Sequence, residues 1–145
     1  MAKMTGLCPL EDYECQEFHK WLDERGIPHT HIPNESRSGK KDAYIRGSKL
    51  KSMGVSSGYW DYDVYVPIID IDGELGGYEL VKVEMKRATK SLSTVSESQK
   101  QWQKVYDAAG IECRVCYGHE DAAKYIEEVY EIINQEKMPE PTIDF

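Results

Sequence analysis

Val81-Lys82-Val83-Glu84-Met85-Lys86 alternates apolar and charged side chains along its whole length. In an extended strand this period puts Val81, Val83 and Met85 on one face and Lys82, Glu84 and Lys86 on the other. A strand with one apolar face and one charged face belongs in a sheet whose polar side carries chemistry or meets solvent. Glu84 and Lys86 are then neighbours about 7 Å apart along the strand. A carboxylate with a lysine beside it holds a hard cation and polarises a nearby water or phosphate. Upstream, Tyr62 to Asp70 is a second strand, and the Asp72-Gly73-Glu74-Leu75-Gly76-Gly77 segment before Tyr78 to Lys86 has hairpin chemistry. Asp61 and Asp63 share one face of that strand and Val64 and Val66 the other, so pairing sets an aspartate beside Glu84. Either aspartate can take that place.

Working outward, Glu11 to about Arg25 has helical periodicity, with Phe18, Trp21 and Leu22 on one face and Gly26-Ile27-Pro28 as its stop. Glu14 lies four residues before Phe18 and seven before Trp21. It therefore extends the apolar stripe, where a carboxylate needs a partner or a cation. His29 to Pro33 is a short strand, and Asp42 to about Met53 a helix weakened at Gly47. Val95 to Ala109 is a helix, Glu112 to Tyr117 a strand, and Asp121 to about Glu136 a final amphipathic helix. Ser96-Glu97-Ser98-Gln99 matches the Ser-x-x-Gln capping box, which gives Gln99 a structural task. Val95, Trp102 and Tyr106 nonetheless place it on the buried side. The pattern is a mixed α/β domain over residues 1–136, with residues 137–145 as a tail holding two prolines.

Composition limits the function. At 145 residues the chain makes one domain with one core, and no apolar run reaches the roughly 18–20 residues that span a bilayer. The start shows no hydrophobic leader, so the expected compartment is the cytoplasm, of a bacterium or a phage-infected cell. A net charge of −8 opposes binding of a polyanion by the molecule as a whole. The charges are segregated, however. Arg37, Lys40, Lys41, Arg46, Lys49 and Lys51 face a single acid, Asp42, whereas His119 to Phe145 holds eight acids and two lysines. One end of the fold is expected to present a basic face.

Taken in order, these residues resemble a known family. The set is Glu14 on the first helix, Pro33-Asn34-Glu35, Gly54-x-x-x-Gly58-x-x-Asp61, Glu84-Met85-Lys86, and Val95-Ser96-Glu97-Ser98-Gln99-Lys100-Gln101-Trp102, continued by Gly110 to Gly118 and Ala122-Ala123. Residues 11–130 are similar to a stand-alone VRR-NUC domain, a branch of the PD-(D/E)XK nuclease superfamily. The resemblance implies a restriction-endonuclease-like αβββαβ core, a mixed central sheet flanked by helices. It also implies a Mg²⁺- or Mn²⁺-dependent DNA endonuclease acting on Holliday junctions or other branched DNA as a homodimer. Asp61 and Glu84 are the implied metal ligands, with the Met85 backbone carbonyl as a third and Glu14 as a further one. Lys86 is the implied catalytic lysine, Gln99 the residue that orients the site, and Glu14 the acid that completes it. Lys40, Lys41, Arg46, Lys49 and Lys51 are expected to grip backbone phosphates. The chain departs from the family at Trp60, where proline usually precedes the aspartate, and in longer intervals from Asp61 to Glu84 and from Glu84 to Gln99.

Two other readings compete. Four cysteines, Cys8, Cys15, Cys113 and Cys116, are enough for structural Zn²⁺. Cys113 and Cys116 fall in a strand, where positions i and i+3 face opposite ways, so buried thiols are the expectation. The four histidines show no ligand spacing, although His29 and His31 share a strand face. The second rival keeps the fold without the chemistry, as a DNA-binding or protein-interaction module with a degenerate site. Metal binding separates the two.

Overall fold

The computed structural model describes residues 8–33 and 48–141. Its elements are α1 (Glu11–Glu24), β1 (His29–His31), β2 (Tyr62–Ile69), β3 (Leu75–Lys86), a 3₁₀ turn (Lys90–Leu92), α2 (Glu97–Ala108), β4 (Glu112–Tyr117) and α3 (His119–Asn134). Apart from the helical residues 48–52, the order is αβββαβ with one added C-terminal helix, the core order that the family resemblance implies. Of the helix expected over Asp42–Met53, only the last part lies among the described residues, where 48–52 are helical and exposed. No helix among the described residues is long and apolar enough to cross a membrane.

The sheet runs β1-β2-β3-β4. β1 and β3 are antiparallel to β2, whereas β4 lies parallel to β3, because α2 carries the chain back between them. The β2–β3 hairpin is tighter than its glycines suggest. Asp70 closes it by accepting from the backbone N–H groups of Asp72 and Glu74 at 2.9 and 3.0 Å. β3 therefore begins at Leu75, three residues before the apolar alternation becomes visible at Tyr78.

Each face of the sheet is covered by different helices. Tyr62, Val64, Val66, Val81, Val83 and Met85 form the core with Phe18 and Leu22 of α1 and Ala122, Ile126 and Val129 of α3. On the other face, α2 covers the charged positions of β3, so that Lys82 and Glu84 are buried almost as completely as the valines between them and Lys86 nearly so. Burying three charges on one strand is costly unless each is paired. That requirement shapes everything that follows. Met138, beyond α3, also packs on the core, and Glu140 approaches the Arg25 guanidinium at 3.9 Å.

The lead-in to β2 is bound tightly to α2. The Trp60 indole donates to the Gln99 carbonyl at 3.0 Å, the Trp102 indole donates to the Ser57 carbonyl at 3.2 Å, and the Tyr106 hydroxyl accepts from the Trp60 N–H at 3.3 Å. Gly58 has a φ of +78°, and a Cβ there would lie 2.6 Å from the Ser98 backbone carbon. Glycine is required both by the left-handed backbone and by the close approach. Gly58→Ala is expected to lower stability by about 2–3 kcal/mol, read as a lower urea midpoint at unchanged slope.

Candidate active site

Asp61 and Glu84 meet where β2 begins and β3 nears its end. The Asp61 N–H donates to Glu84 Oε1 at 3.3 Å, and Asp61 Oδ2 accepts from the Met85 N–H at 2.9 Å. Pairing of β2 with β3 stops at Tyr62–Val83, so the Asp61 side chain takes the place of a strand partner opposite Met85. The N–H and C=O of one strand residue point to the same edge, which aims the Met85 carbonyl toward the carboxylates. Asp63 is committed elsewhere: it forms an ion pair with Lys82. Of the two aspartates, Asp61 is the one that lies beside Glu84.

Glu84 Oε2 accepts from Gln99 Nε2 at 2.8 Å, and Lys86 Nζ lies 3.1 Å from Gln99 Oε1 and 3.4 Å from Glu84 Oε2. Gln99 also closes the capping box of α2. Its N–H donates to Ser96 Oγ at 3.2 Å and its Oε1 accepts from the Ser96 N–H at 2.9 Å. The two readings of Gln99 are thus one arrangement. The cap holds the amide so that Oε1 faces Lys86 and Nε2 faces Glu84. Because Oε1 accepts from two N–H donors, the orientation of the amide is determined by the network.

Glu14 is buried, as its place on the apolar stripe requires, but it does not join this cluster. Glu14 Oε1 accepts from the His119 N–H at 2.9 Å and contacts His119 Nδ1, closing the N-terminus of α3. The acid that α1 brings to Asp61 and Glu84 is Glu11, one turn earlier; one carboxylate oxygen from each of the three lies within 4.8 Å of the others. Glu14, expected at the site, lies outside the group formed by Glu11, Asp61 and Glu84. Glu11, at the very start of α1, reaches Asp61 and Glu84, whereas Glu14 reaches the start of α3. Arg87 fixes that placement by donating to the Cys8 and Pro9 carbonyls at 2.9 and 3.2 Å. Glu11 had no distinguishing signal in the sequence beyond its place at the helix start.

Lys82 also went unassigned in the sequence. Only 1% exposed, it pairs with Asp63 and lies 3.8 Å from the centre of the Tyr59 ring and 5.2 Å from that of Tyr106. Its place on the Glu84 face of β3 was the available clue. Of the phosphate-gripping set, Lys49 and Lys51 are exposed, whereas Lys40, Lys41 and Arg46 lie outside the described residues. The cysteines stand apart as free thiols, and burial pushes Cys15, Cys113 and Cys116 up to about 12.

The electrostatics of the cluster favour a cation. Burial raises both Asp61 and Glu84 above the ordinary carboxylate range. For Glu84 the neighbouring Asp61 charge adds to the effect while Lys86 opposes it, leaving Glu84 at about 8. Three carboxylates with a backbone carbonyl are hard oxygen donors, and their charge is undercompensated by one lysine. The donor set fits Mg²⁺ or Mn²⁺, ions that take few protein ligands and keep water in the remaining positions.

No protein-family model and no curated protein matches the sequence. Among solved structures, a chain described as a VRR_NUC domain protein superposes with a TM-score of 0.63 at 18% identity, covering 92% of this chain and 93% of that one. With the mixed sheet, this likeness shows the fold: an α/β core of four strands flanked by helices, shared with that chain. At that identity it speaks for the fold alone, and the chemistry rests on the residues described above.

Proposed function

We propose that this chain is a divalent-metal-dependent DNA endonuclease. The observation that carries the proposal is the convergence of Glu11, Asp61 and Glu84 with Lys86 and Gln99 at one end of the sheet. A structural ion pair does not need three acids around one lysine. Glu11, Asp61, Glu84 and the Met85 carbonyl would hold Mg²⁺ or Mn²⁺. Such an ion supplies positive charge to a phosphoryl oxygen and acidity to a water.

The chain's own residues do the rest. Lys86 has three protons and spends two on Gln99 and Glu84, which leaves one for a phosphate oxygen or the attacking water. Fixed before the substrate arrives, it meets the charge that develops as the phosphodiester opens without reorganising. Gln99 keeps Lys86 and Glu84 in register and ties both to the start of α2. The segment around residues 37–51 supplies phosphate contacts through Lys40, Lys41, Arg46, Lys49 and Lys51, which gives salt-dependent affinity with little sequence preference. Branched DNA is the preferred substrate in this reading, in keeping with the sequence resemblance. A four-way junction needs two incisions, which a homodimer with two copies of the site would make.

The test is cleavage of end-labelled four-way junction and matched linear duplex with Mg²⁺, Mn²⁺ or EDTA. Metal-dependent, paired incision of the junction is expected, lowered about 10²–10³-fold in Lys86→Ala. Equal cleavage of both substrates keeps the nuclease and removes the junction preference. No cleavage with either metal makes the chain a binding module, and the catalytic roles fall.

A further inference from the structure

Near the carboxylate cluster, α1 and β1 flank an open pocket of about 500 Å³. It is lined by Asp12, Cys15 and His19 from α1 and by His29 and His31 from β1. His19 and His29 meet across it, with His19 Nδ1 2.8 Å from His29 Nε2. The other nitrogen of His29, Nδ1, lies 2.8 Å from the Ile27 carbonyl oxygen. A carbonyl only accepts, so His29 carries a proton on Nδ1, and in the neutral ring Nε2 offers its lone pair on the side that faces His19. A backbone carbonyl fixes the tautomer of metal-ligating imidazoles in the same way.

We propose that this pocket is a second metal site, separate from the carboxylates, for a borderline divalent ion of the Zn²⁺ class. His29 Nε2 and His19 Nδ1 are its protein donors, with water completing the shell. Imidazole selects Zn²⁺ and its neighbours, whereas the oxygen cluster selects Mg²⁺ or Mn²⁺, so the two sites sort their ions by chemistry. Metal–nitrogen bonds of about 2.0–2.1 Å at a tetrahedral angle need the two nitrogens roughly 3.3 Å apart. The pair must therefore open by about half an ångström. His19 is exposed and able to make that movement, while the paired strand β1 holds His29 in place. On binding, the proton of His19 shifts from Nδ1 to the outer Nε2, and the ion takes its place between the rings. The inference does not depend on the nuclease reading.

Calorimetric titration with ZnCl₂ in saturating Mg²⁺ tests it, because Mg²⁺ occupies the carboxylates. One equivalent of Zn²⁺ is expected to bind wild type and Glu84→Gln alike, at least tenfold more weakly to His19→Ala and His29→Ala. Both histidine variants are expected to keep the wild-type far-UV circular dichroism and a cooperative melt in EDTA, which shows them folded without reference to the carboxylate cluster. His19→Ala, on the exposed side of α1, serves even where His29→Ala fails to fold. Wild type that takes up no Zn²⁺ under Mg²⁺ would overturn the proposal. So would histidine variants that bind it as wild type does, which would leave only an ordinary imidazole hydrogen bond.

Discussion

Replacing Glu84 by glutamine is expected to abolish cleavage and, in EDTA at pH 8, to raise the melting temperature. The loss of cleavage follows from removing a ligand at the centre of the cluster: several kcal/mol of transition-state stabilisation correspond to at least about 10³-fold in rate. The gain in stability follows from linkage. Glu84 titrates near 4.5 in the unfolded chain and at about 8 in the folded, metal-free one. Between those values the folded chain binds the extra proton, so stability falls as pH rises from about 4.5 to 8. Glutamine has the shape of the protonated acid and never ionises. Its advantage is therefore absent near pH 5 and grows toward pH 8, to a shift of about 3–6 °C for on the order of 1–2 kcal/mol. Divalent metal reverses the sign for wild type, because the ion neutralises the carboxylates and binds more tightly as pH rises. Thermal melts at pH 5 and pH 8, each with EDTA or Mg²⁺, read all four corners. A variant less stable than wild type in EDTA at pH 8 would show that Lys86 already compensates Glu84 fully.

The second large effect is expected at Trp60, which occupies the position usually held by proline in the family this chain resembles. The side chain is completely buried, packs edge-on against Tyr106 with ring centres 5.3 Å apart, and donates to the Gln99 carbonyl. Trp60→Ala empties that space and removes the bond between the segment carrying Asp61 and the helix carrying Gln99. A loss of about 3–5 kcal/mol is expected, lowering the melting temperature by roughly 10–20 °C. Cleavage at temperatures where the variant remains folded falls as well, because Asp61 and Gln99 are no longer held in register. Trp60→Phe restores much of the packing without the indole N–H. It should recover more stability than activity; equal recovery of both would make Trp60 a packing residue only.

Strand alternation made the Glu84 face legible because a two-residue period fixes sidedness once a strand is assumed. The capping box made the start of α2 legible because its signal is local. Glu14 shows where such signals stop. Periodicity correctly buried its carboxylate, but which residue of the first turn of α1 meets the end of β3 depends on Arg87 holding the Cys8 and Pro9 carbonyls, contacts across 79 and 78 residues. Lys82 and Asp63 form another non-local pair, visible only once the β2–β3 register sets them opposite each other. His19 and His29 lacked ligand spacing for the same reason: a helix and a strand bring them together, and no one-element motif encodes that. Trp60 marked a departure from the family pattern in the sequence, and its compensation in α2 emerged only in three dimensions.

The most direct measurement of the central claim is Mn²⁺ stoichiometry by electron paramagnetic resonance, taken alongside plasmid cleavage for wild type, Lys86→Ala and Glu84→Gln. The account predicts that Lys86→Ala keeps the Mn²⁺ of the carboxylate cluster and loses cleavage, whereas Glu84→Gln loses both. Cleavage by wild type in EDTA, or by Glu84→Gln at the wild-type rate, would contradict it.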